Sequence, residues 1–275
     1  MALKFTKMQA QGNDFVLLET LTQTPTLTPD VIKKLADRHY GVGCDQVLVI
    51  GRSTHPKADF NYDIFNADGS TAKQCGNGAR CVGLFIHACQ LSHKPEITLA
   101  TFDHLTTVSI QDPTQIRAHI GVPNFDPASL PLLLPQAADY TITLERETVR
   151  FGALSLGNPH AIIEVLDVNT ASVEKIGRAL NQHPLFPEGV NVSFYQVLNR
   201  DAVKLRVFER GAGETLACGS GACATMAYLR RLNQIDATVQ IHLPGGIVQV
   251  AWSGVPVEAV VLSGSAQIVF EGILL

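Results

Sequence analysis

The chain has 275 residues, of which 46% are hydrophobic and 17% are charged, and its net charge is -4. Because average globular proteins carry roughly 25% charged residues, this composition excludes a disordered chain and predicts extensive burial. Lysine and arginine form no cluster, and no apolar run reaches the roughly 18 to 20 residues of a membrane span, so nucleic acids and membranes are poor candidate partners. The N-terminus lacks the apolar run of a secretory signal, which predicts a cytoplasmic protein.

The first half of the chain is predicted to be mostly strand. Short apolar runs bounded by turn residues predict strands near 3–8, 14–19, 46–51, 60–65, 97–102, 106–110 and 115–120. Thr28, Pro29 and Asp30 are typical of an N-cap, a first-turn proline and a first-turn acid, and they predict a helix that ends at about His39. A second helix is predicted over residues 76–91, directly after a glycine-rich turn.

The second half repeats this texture. Strands are predicted near 149–155, 160–165, 191–198, 203–208, 238–243, 247–252, 257–262 and 266–270. Helices are predicted over 171–181 and over 219–233, the latter again after a glycine-rich turn. Residues 125–140 hold three prolines and no clear period, so we expect an irregular loop there.

The helices over 76–91 and 219–233 are apolar around most of their circumference. Such helices must be surrounded, and strands are the only abundant partner. We therefore predict an α+β fold of two pseudo-symmetric domains, each a mostly antiparallel, curled sheet around one central buried helix. The predicted domains are residues 1–120 and 121–264, with the last strand, 265–275, packing back onto the first domain.

A short repeat relates the two halves. Cys75-Gly76-Asn77-Gly78-Ala79 and Cys218-Gly219-Ser220-Gly221-Ala222 share the pattern C-G-(N/S)-G-A, and their cysteines lie 218 − 75 = 143 residues apart, about half the chain. A cysteine just before a helix lies in the positive field of the helix N-terminus, which favours the thiolate. Glycines at the next positions let backbone N–H groups approach an anion. Two such turns, facing one carboxylate across an interdomain cleft, would supply the acid and the base that cofactor-free inversion of a carbon centre requires.

The cysteines also allow other interpretations. A single cysteine before a tight turn is as readily a buried packing residue, and a Cys75 to Cys218 disulfide is disfavoured by the cytosolic context. The four other cysteines (Cys44, Cys81, Cys89 and Cys223) are interpreted as packing residues. The spacings contain no zinc pattern, and the glycine turns lack the third glycine and the lysine of nucleotide-binding loops.

Several motifs in order along nearly the whole chain resemble those of diaminopimelate epimerases. They are Gly12-Asn13-Asp14-Phe15, Gly41-Val42-Gly43-Cys44-Asp45-Gln46, Asn66-Ala67-Asp68-Gly69-Ser70, Cys75-Gly76-Asn77-Gly78-Ala79-Arg80-Cys81, Gly157-Asn158-Pro159-His160, Asn191-Val192, Glu209-Arg210-Gly211-Ala212-Gly213-Glu214-Thr215 and Cys218-Gly219-Ser220-Gly221. The resemblance implies interconversion of LL- and meso-2,6-diaminopimelate on the way to lysine and peptidoglycan, without pyridoxal phosphate or metal.

The resemblance also implies roles for individual residues. Cys75 and Cys218 would transfer the proton, His160 would tune a nearby thiol, and Glu209 would bind an ammonium group or steer protons. Backbone N–H groups at four positions would hold the α-carboxylate: Gly76, Asn77, Gly219 and Ser220. The remaining substrate-binding residues would be Asn13, Gln46, Asn66, Asn158, Asn191, Glu209 and Arg210. Phe270 falls where some relatives carry a tyrosine linked to dimer contacts, so a homodimer is expected.

Three rivals stay open at this point. Proline or hydroxyproline racemases share the fold and pair cysteines, but they resemble C-G-H where this chain has Cys75-Gly76-Asn77. Phenazine-type isomerases of the fold lack the cysteine pair. A non-catalytic thiol redox or binding protein would keep the cysteines but would need no matched anion-binding turns.

Overall fold

A computed structural model describes residues 2–102, 104–110, 112, 114–144 and 147–275. The chain divides into two compact units, the first formed by Met1–His119 with Ser263–Leu275 and the second by Ile120–Leu262. Among the described residues no helix is both long and apolar enough to cross a membrane.

The first unit is a mostly antiparallel sheet. Its elements are β1 (Leu3–Ala10), β2 (Asn13–Glu19), α1 (Pro29–Ala36), β3 (Gln46–Arg52), β4 (Phe60–Asn66), β5 (Thr71–Ala72), α2 (Gly76–Ala88), β6 (Glu96–Thr101), β7 (His104–Ile110), β8 (Ile116–Gly121) and the terminal β18 (Gln267–Leu274). Pairing follows the order β18-β1-β2-β3-β4-β6-β7-β8, in which β2 with β3 and β4 with β6 are the parallel pairs. The last strand therefore pairs with the first.

The second unit repeats this topology. Its elements are a short 3₁₀ helix (Pro127–Ser129), β9 (Tyr140–Leu144), β10 (Glu147–Ser155), β11 (Pro159–Glu164), α3 (Val173–Asn181), β12 (Asn191–Asn199), β13 (Ala202–Glu209), β14 (Gly213–Thr215), α4 (Gly219–Arg231), β15 (Thr238–Leu243), β16 (Gly246–Ala251) and β17 (Val260–Gly264), which runs across the unit boundary in sequence. Pairing follows β9-β10-β11-β12-β13-β15-β16, with β11–β12 and β13–β15 parallel. In both units two parallel strand pairs lie on either side of one antiparallel pair, β3–β4 in the first unit and β12–β13 in the second. The helix that follows the cysteine, α2 or α4, connects the two strands of the second parallel pair.

The two central helices are buried, as their apolar circumference predicts. Every residue of α2 from Gly76 to Ile86 is buried, and α4 is buried over nearly the same length. Both helices end in the same way, because Gln90 and Asn233 take left-handed φ values of 54° and 56° and donate their N–H groups to His87 O and Arg230 O. These C-terminal turns, also 143 residues apart, end both helices two to three residues before the predicted ends.

The predicted end of the first helix was wrong. The helix α1 ends at Ala36 rather than near His39, because the Asp37 carboxylate accepts the N–H groups of His39 and Tyr40 at 2.7 Å each. That side chain offers the backbone an alternative to the helical hydrogen bond.

Other departures are local. Strands β5, β9 and β14 were not predicted, since each is short or begins inside a region that reads as loop. The expected loop over 125–140 holds the 3₁₀ helix and ends where β9 begins, and its Leu130 and Leu132 are buried in the core of the second unit. Cys44, Cys81 and Cys223 are buried, which confirms their packing role, whereas Cys89 is exposed and its predicted packing role was wrong.

The close approach of α2 to β7 yields a stability prediction at Gly83. Alanine normally stabilises a helix relative to glycine, but a Cβ at Gly83 would lie 2.6 Å from Val108 Cγ1, a buried atom of β7. We expect Gly83→Ala to lower the free energy of unfolding by about 1–3 kcal/mol in urea titrations. In the Gly83→Ala, Val108→Ala double variant, the loss of unfolding free energy should be smaller than the sum of the losses in the two single variants. A loss equal to that sum would contradict this packing.

Candidate active site in each half

Both cysteines of the repeated motif are the N-cap residues of the central helices. Cys75 precedes α2 with extended backbone angles (φ −148°, ψ 107°), and its sulfur accepts the N–H of Gly78 at 3.2 Å. Cys218 precedes α4 with similar angles (φ −112°, ψ 106°), and its sulfur accepts the N–H of Gly221 at 3.4 Å. A backbone donor and the helix field both favour negative charge on each sulfur.

The glycine at the third helical position makes room for the sulfur. A Cβ at Gly78 would lie 3.4 Å from Cys75 Sγ and 3.2 Å from a methyl carbon of Leu48. A Cβ at Gly221 would lie 3.3 Å from Cys218 Sγ and 3.1 Å from a methyl carbon of Val207. A larger residue at either position would therefore crowd the sulfur against the sheet.

Cys218 is a thiol in this structure. Its S–H donates to Glu209 Oε2 at 2.9 Å, and Thr215 holds the other carboxylate oxygen of Glu209. Burial raises the pKa of Cys218 well above its ordinary value, and the Glu209 charge raises it further, against the smaller lowering effects of the Gly221 N–H and the Ser220 hydroxyl. Burial and, second to it, the carboxylate thus favour the protonated sulfur against the pull of the helix.

The equivalent position in the first unit carries an amide instead of a carboxylate. Asn66 lies 209 − 66 = 143 residues before Glu209, and both residues end the corresponding strands β4 and β13. The Asn66 amide accepts from Gln46 Nε2 at 3.0 Å and donates to Ser70 Oγ at 3.0 Å. The predicted substrate-binding residues Gln46 and Asn66 therefore lie together, without the negative charge that Cys218 faces.

A matched polar contact links each helix turn to a neighbouring strand. In the first unit, Asn77 Nδ2 donates to Asn13 Oδ1 at 3.3 Å. In the second unit, Asn158 Nδ2 donates to Ser220 Oγ at 3.2 Å. Asn13 begins β2 and Asn158 immediately precedes β11, which is the corresponding strand, so four predicted site residues form two equivalent pairs.

His160 is connected to Cys218 through two side chains. It is fully buried, its Nε2 lies 3.0 Å from Asn158 Oδ1, and Ser220 Oγ lies 3.6 Å from Cys218 Sγ. Burial, with a smaller contribution from Arg210, lowers the pKa of His160 to about 3. The ring is therefore neutral at pH 7, and it carries its proton on Nε2 in order to donate to the Asn158 oxygen.

The remaining predicted residues form a second polar group in this unit. Asn191 Oδ1 accepts the backbone N–H of Arg210 at 2.9 Å, and Asn191 Nδ2 donates to Pro159 O at 3.2 Å. The Arg210 guanidinium donates to Glu188 O at 2.9 Å. The backbone that carries Arg210 is thus fixed to the strand that begins with Pro159.

Sequence reasoning missed several residues that support these turns. Tyr62 is buried and its hydroxyl donates to Cys75 O at 2.9 Å, while Thr215 holds Glu209. Arg80 and Gln11 contact each other beneath the Asn13–Asn77 pair. The only available signal was at Arg80, a charged residue inside an otherwise apolar helix. In the described part of the chain, no three His, Cys, Asp or Glu side chains lie together as a metal site.

The buried neutral His160 predicts a pH dependence of stability. In the folded protein this ring takes up a proton only near a pKa of about 3, whereas the unfolded chain takes it up near the ordinary histidine pKa of 6.5. The contribution of His160 to the free energy of unfolding is therefore fully present above pH 6.5 and is lost as the pH falls. The loss from this residue is about 2 kcal/mol between pH 7 and pH 5. In urea unfolding, the free energy of unfolding of His160→Gln should fall less between pH 7 and pH 5, by that amount. An unchanged pH dependence would contradict a buried neutral ring.

The contact between Glu209 and Cys218 predicts a change in thiol reactivity. Glu209→Gln removes the charge that opposes the thiolate, so the pKa of Cys218 should fall. The pH profile of iodoacetamide alkylation at Cys218, followed by peptide mass spectrometry, should shift to lower pH. The exposed Cys89 serves as the internal reference, and a Cys218 profile that stays in place would refute the assigned role of the carboxylate.

Comparisons with known proteins agree on one family. The family model for diaminopimelate epimerase matches residues 5–125 and 152–269. Diaminopimelate epimerases of Teredinibacter turnerae and Legionella pneumophila are each 44% identical to this chain, over 99% and 100% of both sequences respectively. A probable proline racemase of Agrobacterium radiobacter, solved with bound carbonate, shares the fold with a TM-score of 0.76 and 17% identity, covering 99% of this chain and 93% of its own. With paired cysteine turns in matching halves and full-length identity at this level, the chain belongs to the diaminopimelate epimerase family.

Proposed function

We propose that this protein interconverts LL- and meso-2,6-diaminopimelate, as an isomerase that moves one α-proton between two cysteines. The observation that carries the proposal is the repeated geometry of Cys75 and Cys218, each of which caps a buried helix with its sulfur on a backbone N–H. The family model and the two full-length relatives support the substrate.

The α-proton of an amino acid is weakly acidic, so its removal requires stabilisation of the negative charge that develops on the carboxylate. The first N–H groups of a helix point outward and carry partial positive charge. We propose that the N–H groups of Gly76, Asn77, Gly219 and Ser220 bind the α-carboxylate and stabilise the carbanion-like transition state.

The proton balance of the reaction requires one thiolate and one thiol at the start. The thiolate removes the α-proton, the thiol delivers its own proton to the opposite face of the carbon, and the two sulfurs finish with exchanged protonation. Because Cys218 donates to Glu209 in this structure, we propose that Cys218 is the acid and Cys75 the base when turnover begins from this state.

We propose that the rest of the substrate is held by the other polar residues of the two halves. A second amino-acid end offers both an ammonium and a carboxylate, for which amides that donate and accept are suited. Arg210 can bond both oxygens of a carboxylate, and Glu209 can receive an ammonium group or steer protons. The amides assigned to this end are Asn13, Gln46, Asn66, Asn158 and Asn191.

The alternative substrate is proline or hydroxyproline. The proline racemase likeness at 17% identity concerns the fold alone. The residue after Gly76 favours diaminopimelate, since Asn77 stands where the racemases carry histidine. Proline also has no second amino-acid end that the polar residues around Arg210 could bind.

Three further expectations stay predictions: turnover without a cofactor, a cytoplasmic location and a homodimer. For the homodimer, β18 presents partly exposed apolar side chains that include Val269 and Phe270, which suits an interface.

The proposed reaction predicts isotope uptake. LL-diaminopimelate incubated with the protein in deuterated water should acquire deuterium at one α-carbon, observed by NMR or mass spectrometry. Cys75→Ala and Cys218→Ala should each lower epimerisation by about 10³-fold or more, because each removes one proton-transfer group.

The matched control is Cys89→Ala, which removes an exposed cysteine at the far end of the same helix as Cys75 and should retain full activity. Full turnover in the Cys75→Ala, Cys218→Ala double variant would end the two-cysteine mechanism. Comparable turnover of proline would overturn the substrate.

A further inference from the structure

Arg80 occupies an unfavourable place in the first unit. It is fully buried, and it lies in the second turn of α2, five residues after Cys75. Burying a guanidinium costs free energy unless its donors are satisfied. The contacts of Arg80 therefore need to be explained.

The guanidinium joins three separate turns. Its Nη2 donates to Asn77 Oδ1 and to Gln11 Oε1, both at 2.6 Å, and its Nη1 donates to Ser265 O at 3.3 Å. These partners belong to the first turn of α2, the turn between β1 and β2, and the turn between β17 and β18. The planar fork of an arginine can hold several acceptors in one fixed arrangement.

The turn between β1 and β2 is strained. Gln11 has a φ of 50° and Gly12 a φ of 79°, as a two-residue hairpin turn of this hand requires. A glutamine in this left-handed region is unfavourable, and its side chain is held by Arg80 and by Ser265 Oγ at 3.2 Å. Asn13 follows immediately, so the contact with Gln11 helps to place Asn13.

Arg80 also sets the direction of the Asn77 amide. Because Asn77 Oδ1 accepts from the guanidinium, Asn77 Nδ2 is left to donate to Asn13 Oδ1. Asn13 Nδ2 in turn donates to Asp45 Oδ2 at 2.9 Å, so Arg80 orients the Asn77 amide directly and contributes to the position of Asn13 through Gln11.

The second unit orients the equivalent pair with a different residue. There the oxygen of Asn158 faces His160 Nε2, which leaves Asn158 Nδ2 to donate to Ser220. The position that corresponds to Arg80 is Cys223, since 223 − 80 = 143, and Cys223 is a buried thiol. Each half thus has a hydrogen bond between its helix turn and the neighbouring strand, but the donor is Asn77 of the helix in the first half and Asn158 beside the strand in the second, and the orienting group differs.

We infer that Arg80 is a positioning residue, which orients Asn77 and the Gln11–Gly12 turn so that Asn13 and Asn77 present a fixed set of polar atoms to the substrate. In the first half it does what His160 does for Asn158 in the second. The expected change in KM for diaminopimelate rests on the proposed function, whereas the expected change in the alkylation rate of Cys75 does not.

Gly264 offers a way to displace the guanidinium without replacing it. A Cβ at Gly264 would lie 2.1 Å from Arg80 Nη1, and its other near neighbours are Arg80 Cζ and Gln11 Nε2, both at 3.3 Å. All three are side-chain atoms, so Gly264→Ala should move Arg80 while the surrounding backbone stays in place.

The test uses Arg80→Lys, which keeps the charge but loses the fork, together with Gly264→Ala. The matched control is Arg150→Lys in the second unit, where an exposed arginine pairs with Asp139. For each variant we would measure kcat and KM with LL-diaminopimelate, the midpoint of thermal unfolding, and the iodoacetamide alkylation rates of Cys75 and Cys218 by peptide mass spectrometry.

We expect Arg80→Lys and Gly264→Ala each to raise KM by about tenfold, the effect of one lost hydrogen bond to a charged donor. Alkylation of Cys75 should accelerate at least about threefold relative to Cys218, because the loss concerns the first helix turn alone. Arg150→Lys should change neither quantity.

Two results would overturn the inference. One is an unchanged KM with unchanged Cys75 reactivity in both variants. The other is equal acceleration at Cys75 and Cys218 with a lower unfolding midpoint, which would mark Arg80 as a general stabilising residue. If the wild-type protein fails to turn over diaminopimelate, the proposed function fails, and the relative alkylation rates still decide the role of Arg80.

Discussion

The hydrogen bond from a helical N–H to a cysteine sulfur is the contact on which the rest of this structure depends. It fixes Cys75 and Cys218 at the positive ends of α2 and α4, and glycine at the donor position leaves room for the sulfur, since a Cβ would lie 3.3 to 3.4 Å from it. Both helices are buried over most of their length, because their apolar residues must be covered by the neighbouring strands. The sheet that covers each helix therefore also holds the sulfur at its N-terminus in place.

The two halves share a backbone and differ in the groups that surround each sulfur. Burial and the Glu209 carboxylate both raise the pKa of Cys218, whereas the corresponding Asn66 brings no charge to the first half. This difference suits the proposed chemistry, because inversion by two thiols needs them in opposite protonation states at the start. The asymmetry determines which sulfur carries the proton in this structure, and one turnover exchanges the protonation of the two.

Local patterns predicted the elements that have local causes. The starts of α2 and α4 follow from glycine-rich turns before apolar runs, and most strands follow from their apolar alternation. The end of α1 depends on the Asp37 carboxylate, which accepts backbone N–H groups in place of the helical hydrogen bonds. A pattern of apolar residues does not predict that contact. The contact between Arg80 and Gln11 joins residues 69 apart, so the fold alone could reveal it. The motifs indicated the candidate site residues, but not the neighbours that orient them.

The orientation of an asparagine side chain is decided by which of its two ends meets the stronger partner. Arg80 can only donate, so it selects the oxygen of Asn77, and His160 does the same to Asn158 because its neutral ring carries the proton on Nε2. A permanently charged donor cannot lose this ability within the physiological pH range, whereas the imidazole would gain a second donor if it were protonated. Burial that lowers the pKa of His160 to about 3 removes that difference, since the ring stays neutral at physiological pH. The two halves thus reach the same amide orientation by different chemistry, one through a fixed charge and the other through a buried ring that is prevented from acquiring one.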